Sequence, residues 1–521
     1  MNVAFDPWIP VVDLEGKPRL ASLYDVLTSG HLLADLAVRP HERVSLMRLF
    51  LCVAHAALDG PKDYDDWQKV PKRLPEAAGG YLYTWKDSFE LFHPTKPWLQ
   101  IADLESGKID GDGWGAVSKL RFFMASGANT TLYDHEGMDN NERSMGLSET
   151  ILSMISFQCF SPGGLISQVF WQGMQTSKSS KDGPCVPASM VHVLLRRENM
   201  LQTLHSNLPT YEEVRLSYAP HPIGRPPWEK MPTSLADADA VGNSTASYLG
   251  RLVPLTRLIR LHENGSRMLM GEGLACPAFT DGFPAEPTAI VVVRIKDKVP
   301  VRALLSYRPG RALWRELGAI AVKRSAKSAG ETGGPLSLKS LGQGESCDLV
   351  VCALARDQAT ILDTTESVFH IPSRMRSDEG LSLYQSEVLE AEEMSKRLGW
   401  AIEDYRKTVD GGWEGRLKSA GASKGDLLAR LHGQGNSHYW TMVEQNLGLL
   451  MAQIAALGTD QIGPIGEAWK ATLLNSAREA YSAVCGQETP RQLKAFMEGW
   501  RKLNSRPKEQ ESQSKKKEAK V

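Results

Sequence analysis

No run of eighteen apolar residues occurs in this chain of 521 residues, so no segment of it reads as a membrane-spanning helix. The opening Met1–Pro7 has no charged segment leading into an apolar one. No signal peptide is therefore expected, and the protein is expected in the cytoplasm. Cysteine is scarce, with seven residues scattered through the chain. Only Cys347 and Cys352 lie near each other, and no Cys-x-x-Cys pair occurs. That pattern supports neither a disulfide framework nor a structural zinc site. Net charge is nearly absent as well: 60 Lys and Arg against 61 Asp and Glu leave −1. Any nucleic-acid surface must then be a local patch. The phosphate-cradling GxxxxGK[ST], the dinucleotide GxGxxG after a strand, the metalloprotease HExxH and the nucleophile-elbow GxSxG are all missing. Twelve histidines are scattered without metal-ligand spacing. Asp134-His135 resembles half of a metal or acid/base pair, but with no partner at ligand spacing it reads as a local hydrogen-bonding element. These absences point to a protein that is not an enzyme and that uses no cofactor and no metal.

What is present is ordinary globular composition, 42% hydrophobic and 23% charged, which excludes wholesale disorder. At roughly 100–200 residues per domain the length predicts two to four domains. The expected fold class is α+β, a large irregular mixed N-terminal domain followed by a C-terminal four-helix bundle. Residues 1–380 alternate short apolar runs with Gly, Pro and Asp punctuation. Ala289–Ile295 and Cys347–Leu354 are β-branched-rich and of strand length, while Val44–Leu58 and Leu252–Leu261 read as helical. Two polar loops, Asn129–Ser148 and Gln175–Pro187, are long enough to be either functional or disordered. Residues 381–504 change to a helical period. Val388, Ala391, Met394, Leu398, Ala401, Tyr405 and Val409 form one stripe, and Trp440, Val443, Leu447, Leu450, Ile454 and Leu457 a second. Trp469, Leu473, Ala477, Ala480 and Val484 form a third, and Leu493, Phe496, Trp500 and Leu503 a fourth behind the Thr489-Pro490 start signal. Residues 505–521 are Lys, Glu, Gln and Ser with little to bury, and are expected to be a disordered tail.

Charge is distributed unevenly. Between Arg294 and Lys327 lie ten basic residues, opposed only by Asp297 and Glu316. Such a run is either a solvated face paired with acids elsewhere or the footprint of a phosphate backbone. The bundle is balanced, with 14 basic and 15 acidic residues over 381–504, so a DNA contact there would need a local cluster such as Arg416, Lys418 and Lys424.

The opening Phe5-Asp6-Pro7-Trp8-Ile9-Pro10-Val11, followed by Ser22-Leu23 and Arg48-Leu49, resembles the start of the large subunit of the type I-E CRISPR surveillance complex Cascade, the CasA family. The resemblance runs on through Phe89–Pro94, Pro97–Gln100, Leu132–His135, Pro227-Trp228-Glu229 and Arg257–Leu261 to the helical bundle, omitting the tail. Each motif alone is weak; their order and spacing together are specific. The resemblance implies a non-catalytic DNA-reading subunit that recognises the short motif flanking the target, the PAM. Its partners would be the 5′ end of a guide RNA, double-stranded target DNA, the other Cascade subunits and a nuclease-helicase recruited after the R-loop forms, with no membrane. Protein reads the PAM while base pairing reads the target.

Carried over residue by residue, the family's glycine loop falls on Ser161, Pro162, Gly163 and Gly164, where a missing Cβ lets backbone approach a groove wall. The family's duplex-opening wedge falls on Asp357, Gln358 and Ala359. Without the resemblance both segments read as ordinary turns. The minor-groove cation falls on Lys296, with Arg294 and Lys298 as alternatives one or two residues away. The loop holding Asn129, Thr130, Leu132, Tyr133, Asp134 and His135 resembles the one that anchors the subunit on the guide's 5′ end near the PAM. There Tyr133 either stacks on a base or packs the base of the loop. The bundle, by the same resemblance, steers the displaced strand. Two other classes stay open, a structural scaffold of a ribonucleoprotein and a metal-dependent nucleic-acid-processing enzyme built on Asp134 and His135.

Overall fold

The structure is a computed structural model that describes residues 1–107, 113–123, 145–187, 189–327, 330–342, 344–410 and 424–505. The loop from Asn129 to His135, the Arg416 and Lys418 cluster and the tail from 506 therefore lie outside the described residues. The chain forms two compact units, Met1–Pro309 with Ala319–His370, and Gly310–Gly318 with the chain from Ile371 onward. Mixed helix and strand in the first unit and helices in the second give the α+β class. Among the described residues no helix is long and apolar enough to cross a membrane.

In the first unit, β1 (Ile9–Asp13), β2 (Pro18–Ala21) and β3 (Leu33–Leu36) form a small antiparallel sheet in the order β2-β1-β3. The centre is α1 (Pro40–Leu58), which starts with proline at its first helical position and ends at Asp59 in the left-handed region. It is buried nearly all round, the mark of a helix enclosed by other elements. Against it pack α2 (Tyr64–Thr84) and α3 (Leu147–Phe160). Then β4 (Val191–Arg196) pairs antiparallel with the strand Cys347–Asp357; β5 (Arg257–Leu261) pairs with β6 (Arg267–Glu272); and β7 (Val291–Lys296) forms a hairpin with β8 (Val299–Leu304). The last hairpin is β9 (Cys347–Asp357) with β10 (Thr360–Ile371), in the sheet order β4-β9-β10.

Leu252–Leu261, expected to be helical, is not. A short helix ends at Leu252 and β5 begins at Arg257, because Pro254 blocks helix continuation and Leu258, Ile259 and Leu261 are buried in the pairing with β6. Gln175–Pro187 is ordered, its Ser179–Ser180 strand pairing with Gly164–Leu165.

One buried ionic cluster ties this unit together. Glu286 accepts from Arg48 of α1 at 2.8 Å and from Arg251, and all three side chains are at most 5% exposed. The spare donors are used on main-chain oxygens: Arg48 bonds the Leu252 and Arg251 carbonyls, and Arg251 the Pro277 carbonyl. Burial opposes ionisation of Glu286, but the guanidiniums of Arg251 and Arg48 outweigh it and hold the carboxyl below its ordinary range.

Among the described residues the second unit has four long helices, α4 (Asp378–Asp410), α5 (Lys424–Gln445), α7 (Ile462–Val484) and α8 (Pro490–Asn504). The predicted second stripe is interrupted at Asn446, after which α6 (Leu447–Ala455) runs as a separate short helix. On α4 the stripe from Val388 to Tyr405 is buried. On α8, Leu493 is exposed, and Ala495 and Gly499 face inward with Phe496 and Leu503, small residues that let α8 close on α4. Gly310–Gly318 belongs here because Tyr384 of α4 donates to the Trp314 carbonyl and Glu392 accepts from Arg311 and Arg315.

Removing the Glu286 charge strands two buried guanidiniums, so Glu286→Gln is expected to lower the stability of the first unit by about 3 kcal/mol. Urea titration followed by tryptophan fluorescence measures it, and an unchanged midpoint would contradict the role given to the cluster. The sign in acid follows from a depressed carboxyl. The contribution is complete above the ordinary carboxyl pKa and is lost as the pH falls below it toward the folded value.

Candidate nucleic-acid interface

Helix α3 ends where Ser161, fully buried, donates its N–H to the Phe157 carbonyl at 2.8 Å and Pro162 stops the ladder. The chain then turns through Gly163 and Gly164 rather than entering a second helix. The Gly163 N–H donates to Asp182 Oδ1 at 2.6 Å. A Cβ on Gly163 would lie 2.8 Å from the Ser180 carbonyl oxygen, closer than side-chain carbons approach backbone. Gly164 has φ +154°, and a Cβ there would come 3.3 Å from the Ala359 Cβ. Arg257 braces the loop from beneath, donating to the Pro162 carbonyl at 2.8 Å and the Lys181 carbonyl at 3.0 Å. Burial lowers the Arg257 pKa to about 10, which leaves it charged at neutral pH.

Ala359 belongs to the tip of the β9-β10 hairpin. β9 runs three residues beyond the Leu354 expected from the pattern, and the two-residue connection is Gln358-Ala359. Gln358 sits in the left-handed region at φ +48°, a conformation that costs a non-glycine residue about 1 kcal/mol and is held by the strands on either side. Asp357, Gln358, Ala359 and Thr360 are exposed, whereas β9 is buried through Ala355. Arg356 fixes the tip: its guanidinium pairs with Asp182 at 2.7 Å, and its backbone N–H donates to Ser189 Oγ at 3.0 Å. Asp182 therefore holds the Gly163 backbone and the Arg356 side chain on the same oxygen.

The third feature is the β7-β8 hairpin. Its turn is Asp297-Lys298, at φ +51° and +67°, which suits the twist of a two-residue hairpin. Lys296 ends β7 opposite Val299, and everything from Val293 to Pro300 is exposed, including Arg294, Lys296 and Lys298. The base of this hairpin joins the same segment that steadies the other one. Ser189 accepts from the Tyr307 N–H, Val191 donates to Leu305, and Val193 donates to Thr288. Meanwhile β4 pairs with β9 from Val191↔Ala353 to Arg196↔Asp348.

The basic run does not form one surface. Arg311 and Arg315 pair with Glu392 in the second unit, Arg311 also with Glu316, and Arg324 is buried on the Gly334 and Ala289 carbonyls. Among the described side chains of the run, those exposed are Arg294, Lys296, Lys298, Arg302 and Arg308. Among the described residues no group of three His, Cys, Asp or Glu could hold a metal ion. Asp182, Ser189 and Arg356 are not singled out by the sequence, where only the length of the Gln175–Pro187 loop draws attention to that stretch, and Arg257 enters there only as the start of a resembling segment.

The model of the family described as CRISPR-associated protein Cse1 matches residues 2–480. The chain belongs to the Cse1 family. A CasA/Cse1 protein of Thermus thermophilus is 27% identical to it over 502 residues, covering 93% of this chain and 92% of the relative. The crystal structure of Thermus thermophilus CasA superposes with a TM-score of 0.75 at 23% identity, covering 96% and 98% of the two chains. Cse1 from Acidimicrobium ferrooxidans gives 0.71 at 19% identity, covering 96% of each. A chain of a CRISPR RNA-guided surveillance complex gives 0.69 at 19% identity, covering 97% and 99%. In this member of the family the Gly163-Gly164 loop and the β9-β10 tip lie side by side.

If Asp182 is the tether, Asp182→Ala should raise hydrogen exchange in peptides covering 160–166 and 354–361 together. An ion pair that keeps this much contact with water is worth about 1 kcal/mol, so the global unfolding midpoint should move little. Faster exchange in only one of the two segments would mean they are not coupled through this residue.

Proposed function

We propose that this chain is the large, non-catalytic subunit of a type I-E RNA-guided surveillance complex acting in the cytoplasm in antiviral defence, and that its first unit reads the PAM in double-stranded DNA. The observation that carries the reading is the meeting of Gly164 with Ala359, two segments far apart in sequence, with Asp182 bonded to both sides. A side-chain-free loop can lie against the minor-groove edge while a rigid, glutamine-tipped hairpin enters the base stack beside it. Unstacking a step costs a few kcal/mol, offset by contacts in the opened duplex. A cation at Lys296, or its neighbours Arg294 and Lys298, supplies charge where the minor groove is most negative and reads A·T acceptors degenerately. That degeneracy suits tolerance of several flanking motifs.

In this reading the hairpin starts the R-loop, guide RNA then pairs with the target, and the helical second unit positions the non-target strand and helps recruit the nuclease-helicase. The remaining subunits hold the guide, whose 5′ end this chain would contact through the loop from Asn129 to His135. The relative in a surveillance complex supports the assembly, and the absence of nucleophile and phosphate motifs is consistent with a binding role.

The test is duplex binding by the guide-RNA complex, assembled with and without this chain, on targets with intact or scrambled flanking motifs at fixed salt. The chain should make binding depend on the flanking motif. Equal enhancement on both targets would indicate a scaffold instead, and cleavage of DNA by the purified chain with a divalent metal would indicate an enzyme. Gln358→Ala should slow duplex opening about tenfold or more with assembly intact. Lys296→Ala should weaken binding and reduce the salt slope by about 1.

A further inference from the structure

Leu165 follows the glycine loop and is 94% exposed. Its backbone, in contrast, is pinned on both sides. Gly164 pairs with Ser180 and Leu165 with Ser179, the Ser180 hydroxyl donates to the Gly164 carbonyl at 3.1 Å, and the Ile166 N–H donates to the Lys178 carbonyl at 3.0 Å. The side chain is thus held out in water on an immobilised strand. Two exposed cations, Lys178 and Lys181, bracket the partner strand Ser179–Ser180, whose Ser179 pairs with Leu165. The preceding residue, Gly164, is the one that meets Ala359 at the hairpin tip.

Single exposed apolar side chains are common on protein surfaces. One held on a paired strand, next in sequence to the glycine that meets the hairpin tip and with lysines at both ends of the partner strand, has the composition of the apolar wedges that minor-groove proteins press between base steps while cations hold the phosphates. We propose that Leu165 is a second, apolar wedge, which packs on the face of the base pair exposed when the β9-β10 tip enters the duplex, with Lys178 and Lys181 holding the adjoining phosphates. The ligand is the end of a double helix at the point of opening. The proposal rests on the reading that Gln358 enters the duplex.

The experiment uses the complete guide-RNA complex with 2-aminopurine placed in the first target base pairs beside the flanking motif, and compares Leu165→Ala, Leu165→Met and Gln358→Ala. On intact duplex Leu165→Ala should slow the fluorescence rise about tenfold, while Leu165→Met should retain most of the rate. On a target already mismatched at those pairs Leu165→Ala should recover the unmodified rate. If Gln358→Ala slows opening and Leu165→Ala does not, the apolar wedge is wrong and the hairpin reading stands. If both substitutions are silent on intact duplex, the hairpin reading itself fails and the proposal falls with it. Loss of complex assembly in Leu165→Ala would assign the residue to a protein contact, and failure of the mismatched target to restore the rate would assign it to a step other than opening; either overturns the proposal.

Discussion

The roots of the β7-β8 and β9-β10 hairpins are tied, through Thr288 and β4, to the segment that holds one buried carboxylate. Glu286 sits between Arg48 and Arg251, and its own backbone carbonyl accepts from the Ala289 N–H. Two residues on, Thr288 accepts from Val193 of β4, and β7 begins at Val291. β4 in turn pairs with β9 along its whole length. A carboxylate in this position pays a desolvation cost that one guanidinium would not offset well, and two with their remaining donors on carbonyls do. The cluster therefore joins the central helix to the roots of both hairpins, which makes their directions a property of the core rather than of their own short turns. A free two-stranded hairpin is marginal in water.

Asp182 does the equivalent work at the surface with less burial. Its side chain is about a third exposed, so the pairing with Arg356 adds little to global stability. What it adds is position. The same oxygen takes the Gly163 N–H, and Ser189 grips Arg356 from the other side. Gly163 and Gly164 are glycines for two separate reasons: the first because Ser180 lies too near, the second because Ala359 does and the backbone is at positive φ. A methyl group at Gly163 would collide with the Ser180 carbonyl and one at Gly164 would press on the hairpin tip, so the neighbourhood constrains the residue type before any ligand is considered.

How much of this could be read from the residues depends on the range of the interaction. The helices of the second unit were legible because Val388 to Tyr405 and Trp469 to Ala480 repeat at helical spacing, a signal internal to each segment. The break at Asn446 was not, since Trp440, Val443, Leu447 and Leu450 keep the same period across it. The hairpins were legible as strands and turns from their β-branched runs, whereas Leu252–Leu261 misled because apolar residues around Pro254 fit a helical period and a strand equally well. The basic run looked like one surface because sequence shows no partners. Glu392, which takes Arg311 and Arg315, lies more than seventy residues downstream. The meeting of Gly164 and Ala359 depends on Asp182 and Arg356, which are 174 residues apart, and no local pattern encodes that distance.

Near-neutrality gives the arrangement its logic. A chain with 60 basic and 61 acidic residues cannot gather a polyanion by its overall field. Pairing of Arg311 and Arg315, and burial of Arg324, withdraw part of even the one basic stretch. The exposed cations that remain are carried chiefly on one hairpin, and the neighbouring loop and tip offer shape with little charge. On the proposed reading, affinity for bare phosphate would be low, so that such a surface would not linger on arbitrary DNA, where counterion release alone would hold a basic one. In that proposal discrimination would come from whether a groove accepts a backbone without side chains and whether a base step yields to a rigid tip, and both depend on the DNA sequence being deformed.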